Sequence, residues 1–153
     1  MEKFLTVILD CSGSFAENGK LEILRALRLT VARLAKNFGA AADFFIWRDD
    51  VHSMSSPKEV VAQGVSEISA LKNFLSNCPE GSKVLLLSDG AWDVDESTKI
   101  KSLLAAQKID LAFAAVGADA NRSSNYNIST AGGIWSPADL PSAVQVLLSG
   151  GAS

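Results

Sequence analysis

The stretch Phe4-Leu5-Thr6-Val7-Ile8-Leu9 is apolar at nearly every position and stops at Asp10. No other feature constrains the fold so strongly. A strand with one wet face alternates apolar and polar residues, whereas a continuous run marks a strand covered on both faces, as in the middle of a parallel sheet. Helix and strand patterns then alternate along the chain. From Lys20 to Lys36, Leu21, Leu24, Leu27, Val31 and Leu34 recur at helical spacing, with Glu22, Arg25, Arg33 and Lys36 opposite and Arg28 on the flank. Ala42 to Arg48 reads as a second strand, and Asp49-Asp50 turns it into a short antiparallel third, Val51 to Met54. Ser66 to Leu75 predicts a helix and Val84 to Leu87 a fourth strand. Asp95-Glu96 starts another helix, where acids suit the dipole. Leu111 to Val116 is a fifth strand and Gly133-Ile134-Trp135 a weak sixth. A last helix opens at Asp139-Leu140-Pro141 and turns Leu140, Ala143, Val144, Leu147 and Leu148 to the sheet. The expected fold is α/β: a doubly wound, mostly parallel sheet with one antiparallel edge strand and helices on both faces.

Length and charge narrow the possible roles. At 153 residues the chain suits one domain, 1–153, on a guide of ~150 residues per domain. Apolar residues at 48% and charged residues at 20% exclude a disordered chain. The net charge is −3 and no two Lys or Arg residues are adjacent, so nucleic acid is not the expected partner. No apolar run is long enough for a membrane span, and residues 1–9 lack the basic region and cleavage site of a secretory signal. Cys11 and Cys78 show no framework spacing and read as reduced thiols. The expectation is a soluble, cytoplasmic domain.

In doubly wound sheets ligands bind beyond the carboxyl ends of the strands, where strand order reverses. Two strands end there in oxygen-rich loops, Asp10-Cys11-Ser12-Gly13-Ser14 and Ser88-Asp89-Gly90, and Gly64-Val65-Ser66 adds a hydroxyl at a helix start. If the first and fourth strands are neighbours, their loops lie about 5 Å apart. Asp10, Ser12, Ser14, Ser66 and Asp89 could then converge on one point. Asp10 and Ser12 share a side of an extended chain, Cys11 points the other way, and Gly13 lets Ser14 turn back. An all-oxygen set favours Mg2+, with Mn2+ or Ca2+ as alternatives, over zinc or copper. Simpler readings compete with this one. Asp, Ser and Gly dominate ordinary turns, and Ser66 before Glu67 and an apolar helix looks like an N-cap. Phe15 and Trp92 are candidate rim anchors for a partner or else core residues; Trp47 and Phe44-Phe45 read as core. A helix start explains Asp93 and Asp95 adequately.

Enzyme readings fit poorly. A phosphate-binding loop needs four residues between its glycines and Ser or Thr after the lysine; Gly13 to Gly19-Lys20-Leu21 has five and a leucine. A phosphatase using Asp10 as nucleophile wants a second aspartate where Ser12 stands. A Cys-His hydrolase would need Cys11 beside His52, the only histidine, which is about 10 Å away if the third strand lies at the sheet edge, two strands from the first.

The oxygen pattern resembles that of von Willebrand factor A domains. Asp10-x-Ser12-x-Ser14 matches the first element of that family's metal-ion-dependent adhesion site, and Asp89 in Leu87-Ser88-Asp89-Gly90 matches its later aspartate. Gly19-Lys20-Leu21, Ala115-Val116-Gly117 and Ala131-Gly132-Gly133 before Trp135 are also similar to the family, so the resemblance covers nearly the whole chain. The family usually has threonine where Ser66 stands, and Ser69 is the alternative counterpart. The resemblance implies a Rossmann-like domain that recognises partner proteins, a partner Asp or Glu completing the sphere of a bound Mg2+. Small stand-alone intracellular bacterial members work in multi-protein assemblies, often beside ATPases or stress-response factors. The expected function is therefore a metal-dependent protein-binding module and not an enzyme. A metal-independent scaffold with a vestigial site, or a metal-dependent hydrolase, are the alternatives.

Overall fold

The computed structural model describes residues 3–13, 19–90, 92–117, 123, 126–130 and 132–150. Five strands form one sheet: β1 (Lys3–Asp10), β2 (Ala40–Trp47), β3 (Val51–Ser53), β4 (Lys83–Ser88) and β5 (Asp110–Ala115), in the order β3-β2-β1-β4-β5. All neighbours run parallel except β3, which pairs antiparallel with β2 at one edge. The helices are α1 (Lys20–Asn37), α2 (Ile68–Ser76), α3 (Val94–Gln107) and α4 (Leu140–Gly150).

Side-chain alternation explains the layers. Leu5, Val7, Leu9 and Cys11 point to one face, where they meet Leu24, Leu27 and Val31 of α1 and Leu140, Val144 and Leu147 of α4. Ile8 points to the other, joined by Leu86, Phe113, Leu71 and Leu75 of α2 and Ile100 and Leu104 of α3. Both faces of β1 are thus covered, as its unbroken apolar run requires.

From β1 the chain crosses to β2 on one side, and it returns on the other side as β4. The sheet's switch point therefore lies between the carboxyl ends of β1 and β4, whose register pairs Leu9 with Leu87.

Two expectations need correction. The α2 helix begins at Ile68 rather than Ser66. The sixth strand reduces to a single bridge in which Trp135 N donates to Phe113 O (2.9 Å) and Ala115 N to Trp135 O (2.8 Å). Pro137 then opens a 3-10 turn, Pro137–Asp139, which ends the extended stretch. Upstream, the outer edge of β5 is closed by Ser129, whose hydroxyl accepts from Phe113 N at 2.9 Å, and by Thr130, whose hydroxyl accepts from Leu111 N at 2.9 Å. These bonds occupy backbone groups that an edge strand would otherwise leave open to pairing.

Candidate functional site at the switch point

At the end of β1, Asp10 falls on the α2/α3 face and Cys11 on the α1/α4 face, as strand alternation dictates. Cys11 is buried, and burial pushes its thiol up to about 12; as a thiol it is a poor nucleophile. Asp10 is only 3% exposed. Its Oδ1 accepts from Ser12 N at 3.1 Å and from the Ser66 hydroxyl at 2.6 Å, and its Oδ2 accepts from the Ser88 hydroxyl at 2.7 Å.

The segment carrying Ser66 is laid across the strand ends by a run of bonds. Gln63 N donates to Cys11 O (3.1 Å), Gly13 N to Gly64 O (2.8 Å), and Glu67 N to Arg48 O (2.8 Å). Arg48 Nη2 donates to the carbonyls of Glu59 and Val61, Arg25 Nε to that of Val60, and Trp47 Nε1 to that of Glu67. Gly13 permits the close approach, since a Cβ there would stand 3.3 Å from Gly64 O. Ser66 is consequently not an N-cap. Glu67 holds that position, while the Ser66 hydroxyl faces Asp10 Oδ1 and, at 3.1 Å, Trp47 O. Ser69 lies exposed on α2, so Ser66 is the serine beside Asp10.

On β4, Ser88 shares the parity of Leu86 and therefore points to Asp10, with Gly90 N donating back to its hydroxyl at 3.2 Å. Asp89 has the opposite parity and turns to the α1 side, where Lys20 Nζ lies 3.2 Å from its Oδ2. Lys20 and Asp89 are 2% and 8% exposed. Asp10, Ser12 and Ser66 are thus brought together, with Asp89 adjoining them from the other face. Ser14 and Phe15 lie outside the described residues.

Sequence reasoning did not assign Ser88 or Lys20 to the site. Both carried a signal. Ser88 continues the parity of Val84 and Leu86, and Lys20 sits four residues before Leu24 on the buried stripe of α1.

Beside Asp10 opens a cavity of about 220 Å3 lined by Asp10, Ser12, Trp47, Gly64, Val65, Ser66 and Trp92. Trp92 is its buried wall rather than an exposed anchor. Its ring lies 6.4 Å from that of Trp47 and 5.0 Å from that of Phe113, and its Nε1 donates to the Ser97 hydroxyl at 2.9 Å. Burial holds the Asp10 carboxyl above its ordinary range. The Ser66 and Ser88 hydroxyls and Ser12 N pull it down, while the negative charge of Asp89 adds to the rise. The two carboxylates are therefore within electrostatic reach of each other.

The donor chemistry accommodates a hard dication. Among the described residues no three His, Cys, Asp or Glu side chains are grouped for a metal, so the oxygens available here are those of two carboxylates, hydroxyls and water. That composition suits Mg2+, which keeps several of its waters. The buried Lys20 ammonium beside Asp89 shows that the rim already holds one cation. The enzyme alternatives gain nothing from the geometry. His52, on edge strand β3, lies two strands from β1 and faces Asp50 Oδ1 at 2.8 Å, and Lys20 turns inward rather than toward a phosphate.

Strand order, covered faces and an oxygen-rich switch point together define a Rossmann-like von Willebrand factor A-type fold. A von Willebrand factor type A structure from Catenulispora acidiphila superposes with a TM-score of 0.64 at 13% identity, over 98% of this chain and 42% of that one. An aerotolerance-related membrane protein from Bacteroides fragilis matches at TM-score 0.53 and 17% identity, over 75% of this chain and 68% of that one. A manganese-loaded TRAP protein from Plasmodium vivax matches at TM-score 0.55 and 14% identity, over 78% and 59%. The chain thus spans less than half of the Catenulispora protein. No protein-family model matches the sequence, and no curated protein matches it.

Proposed function

We propose that residues 1–153 form a protein-binding module that holds a divalent cation at the switch point and recognises an acidic residue of its partner. Asp10, Ser12, Ser14, Ser66 and Asp89 are the proposed ligands, the carboxylates acting directly or through water, with Mg2+ the natural ion and Mn2+ or Ca2+ substitutes. One observation carries this reading: the Ser12 amide and the Ser66 and Ser88 hydroxyls, from three separate segments, converge on the buried Asp10 carboxylate at the mouth of an open cavity. The bound ion would supply a Lewis-acidic position for an incoming carboxylate. The chain's own groups do the rest. Hydrogen bonds from Ser66 and Ser88 orient Asp10, the Gly13–Gly64 bond fixes the Ser66 loop, and Trp47 and Trp92 wall the cavity.

The manganese-loaded TRAP protein has the same fold, which supports a divalent ion here. A cytoplasmic place in a bacterial multi-protein assembly with a stress-related role completes the proposal. No helix among the described residues is long and apolar enough to cross a membrane.

Melting in Mg2+ against EDTA tests the ion, because a ligand that binds only the folded form stabilises it by about 2.7 kcal/mol at 100 times its Kd. For a domain of this size that is a rise of roughly 5–10 °C. The rise is expected in the wild type and not in Asp10→Ala. Acetate, a simple stand-in for an Asp or Glu side chain, should add to it in Mg2+ and do nothing in EDTA. Equal melting in Mg2+ and EDTA would reject the reading. The Lys20–Asp89 pair favours a second reading, a metal-independent scaffold in which the lysine has replaced the ion. It requires partner capture that survives both EDTA and Asp89→Ala.

A further inference from the structure

Lys20 is an unusual residue for its position. It stands on the buried stripe of α1 with Leu24, Leu27 and Val31, where an apolar side chain would satisfy the packing. Taking an ammonium out of water is costly. As the first residue of α1 it also sits at the positive end of the helix dipole, the unfavourable end for a cation. The fold makes room for its stem. Gly117, at φ +101°, closes β5 just below, and a Cβ there would come within 2.8 Å of Lys20 Cε, 3.0 Å of Cγ and 3.1 Å of Cδ. Against the cost of burial and of helix position, the space cleared at Gly117 lets the ammonium lie 3.2 Å from Asp89 Oδ2.

We propose that Lys20 is a built-in counter-cation of the rim site, tuning it to hold its divalent ion weakly and an incoming partner carboxylate strongly. The inference rests on the cation-binding reading above. Asp10 and Asp89 bring two negative charges to the switch point, and the Coulombic effect of Asp89 on Asp10 shows that each feels the other. Lys20 offsets part of that repulsion, so the apo rim can assemble without an ion. The same positive charge opposes a dication, which lowers its affinity. It also leaves the loaded site more positive by one unit than it would be with a neutral residue 20, and that favours an anionic group from the partner. Lys20 is a positioning residue: it acts through Asp89 and the local field, not as a ligand.

Isothermal titration with Mn2+ tests this on the wild type, Lys20→Met, Lys20→Gln and Lys20→Arg, with melting in EDTA and in Mn2+ plus acetate alongside. Both neutral variants are expected to bind Mn2+ about tenfold more tightly or better. Lys20→Arg should stay near the wild type. In EDTA Lys20→Met should melt below the wild type, Mn2+ should close that gap, and the extra rise from acetate should shrink. A side chain needed only for packing would not produce a gain in affinity. If the wild type binds Mn2+ and neither neutral variant binds it more tightly, this inference falls and the site stands. If no chain binds Mn2+, the proposed function falls with it. Should Lys20→Met be unfolded in EDTA, Lys20→Gln decides. Failure of millimolar Mn2+ to restore either one also overturns the inference, because a dication should replace the missing charge.

Discussion

Asp10→Asn is expected to shift stability in opposite directions with and without a divalent ion. The carboxyl is 3% exposed, and burial raises its pKa in the folded chain. The unfolded chain takes up the proton at the ordinary value, near 3.9. A raised acid contributes stability that is fully present below the unfolded pKa and is lost as pH rises through the folded pKa. In EDTA the wild type loses that contribution as pH rises through the raised folded pKa of Asp10. Asparagine carries no charge to desolvate, and its amide can exchange hydrogen bonds with the Ser66 and Ser88 hydroxyls. The variant should therefore melt above the wild type in EDTA once pH exceeds the folded pKa of Asp10, and the gap should narrow as pH falls and Asp10 takes its proton. In millimolar Mg2+ the order should reverse. The wild type gains about 2.7 kcal/mol at 100 times Kd, whereas the variant has lost a carboxylate ligand. Melting curves at several pH values, with and without Mg2+, check both signs. An Asn variant that is less stable than the wild type in both buffers at every pH tested would mean that Asp10 serves the fold, not an ion.

Phe113→Ala carries the largest expected loss of stability. Phe113 is fully buried on the α2/α3 face of β5 and lies against Trp92 with ring centroids 5.0 Å apart. Removing a buried phenyl ring costs about 3–5 kcal/mol, the lost transfer energy plus the cavity left behind. Some of the loss is specific to the ring pair, for which roughly 0.5–1.5 kcal/mol beyond buried area is typical. Trp92 walls the cavity beside Asp10, yet the oxygen donors sit on β1, the Ser66 loop and β4. Denaturant unfolding should therefore show a several-kcal/mol loss, while the stabilisation added by Mg2+ persists. If Phe113→Ala also abolished the Mg2+ response, the site would depend on the tryptophan wall far more than its hydrogen bonds imply.

The sheet was legible because its signal is redundant. The unbroken run from Phe4 to Leu9 required cover on both faces, and helical stripes such as Leu24, Leu27 and Val31 supplied it. The sixth strand was misread because three residues carry too little pattern. Pro137 and the hydroxyls of Ser129 and Thr130, not periodicity, decide what closes the β5 edge.

At the site, Asp10 and Ser12 could be grouped by parity within one strand. The partners of Asp10 from elsewhere could not be grouped so simply, because they depend on register between strands. Leu9 pairs with Leu87, which puts Ser88 beside Asp10 and sends Asp89 to the opposite face. Ser66 looked like a helix cap because Glu67 and an apolar stretch follow it. Only the bonds that lay residues 59–67 over the strand ends show its hydroxyl reaching Asp10. Lys20 was hidden for a different reason. A lysine opening a helix reads as solvated, and nothing local announces that Gly117 has cleared a place for it.

Electron paramagnetic resonance of Mn2+ mixed with the protein tests the central claim most directly, because bound and fully hydrated ions give different spectra. The account requires one equivalent of Mn2+ to leave the hydrated pool per wild-type chain, weaker uptake by Ser66→Ala, and none by Asp10→Ala. Mn2+ that stays fully hydrated with the wild type at millimolar concentration, or uptake unchanged by Asp10→Ala, would contradict it.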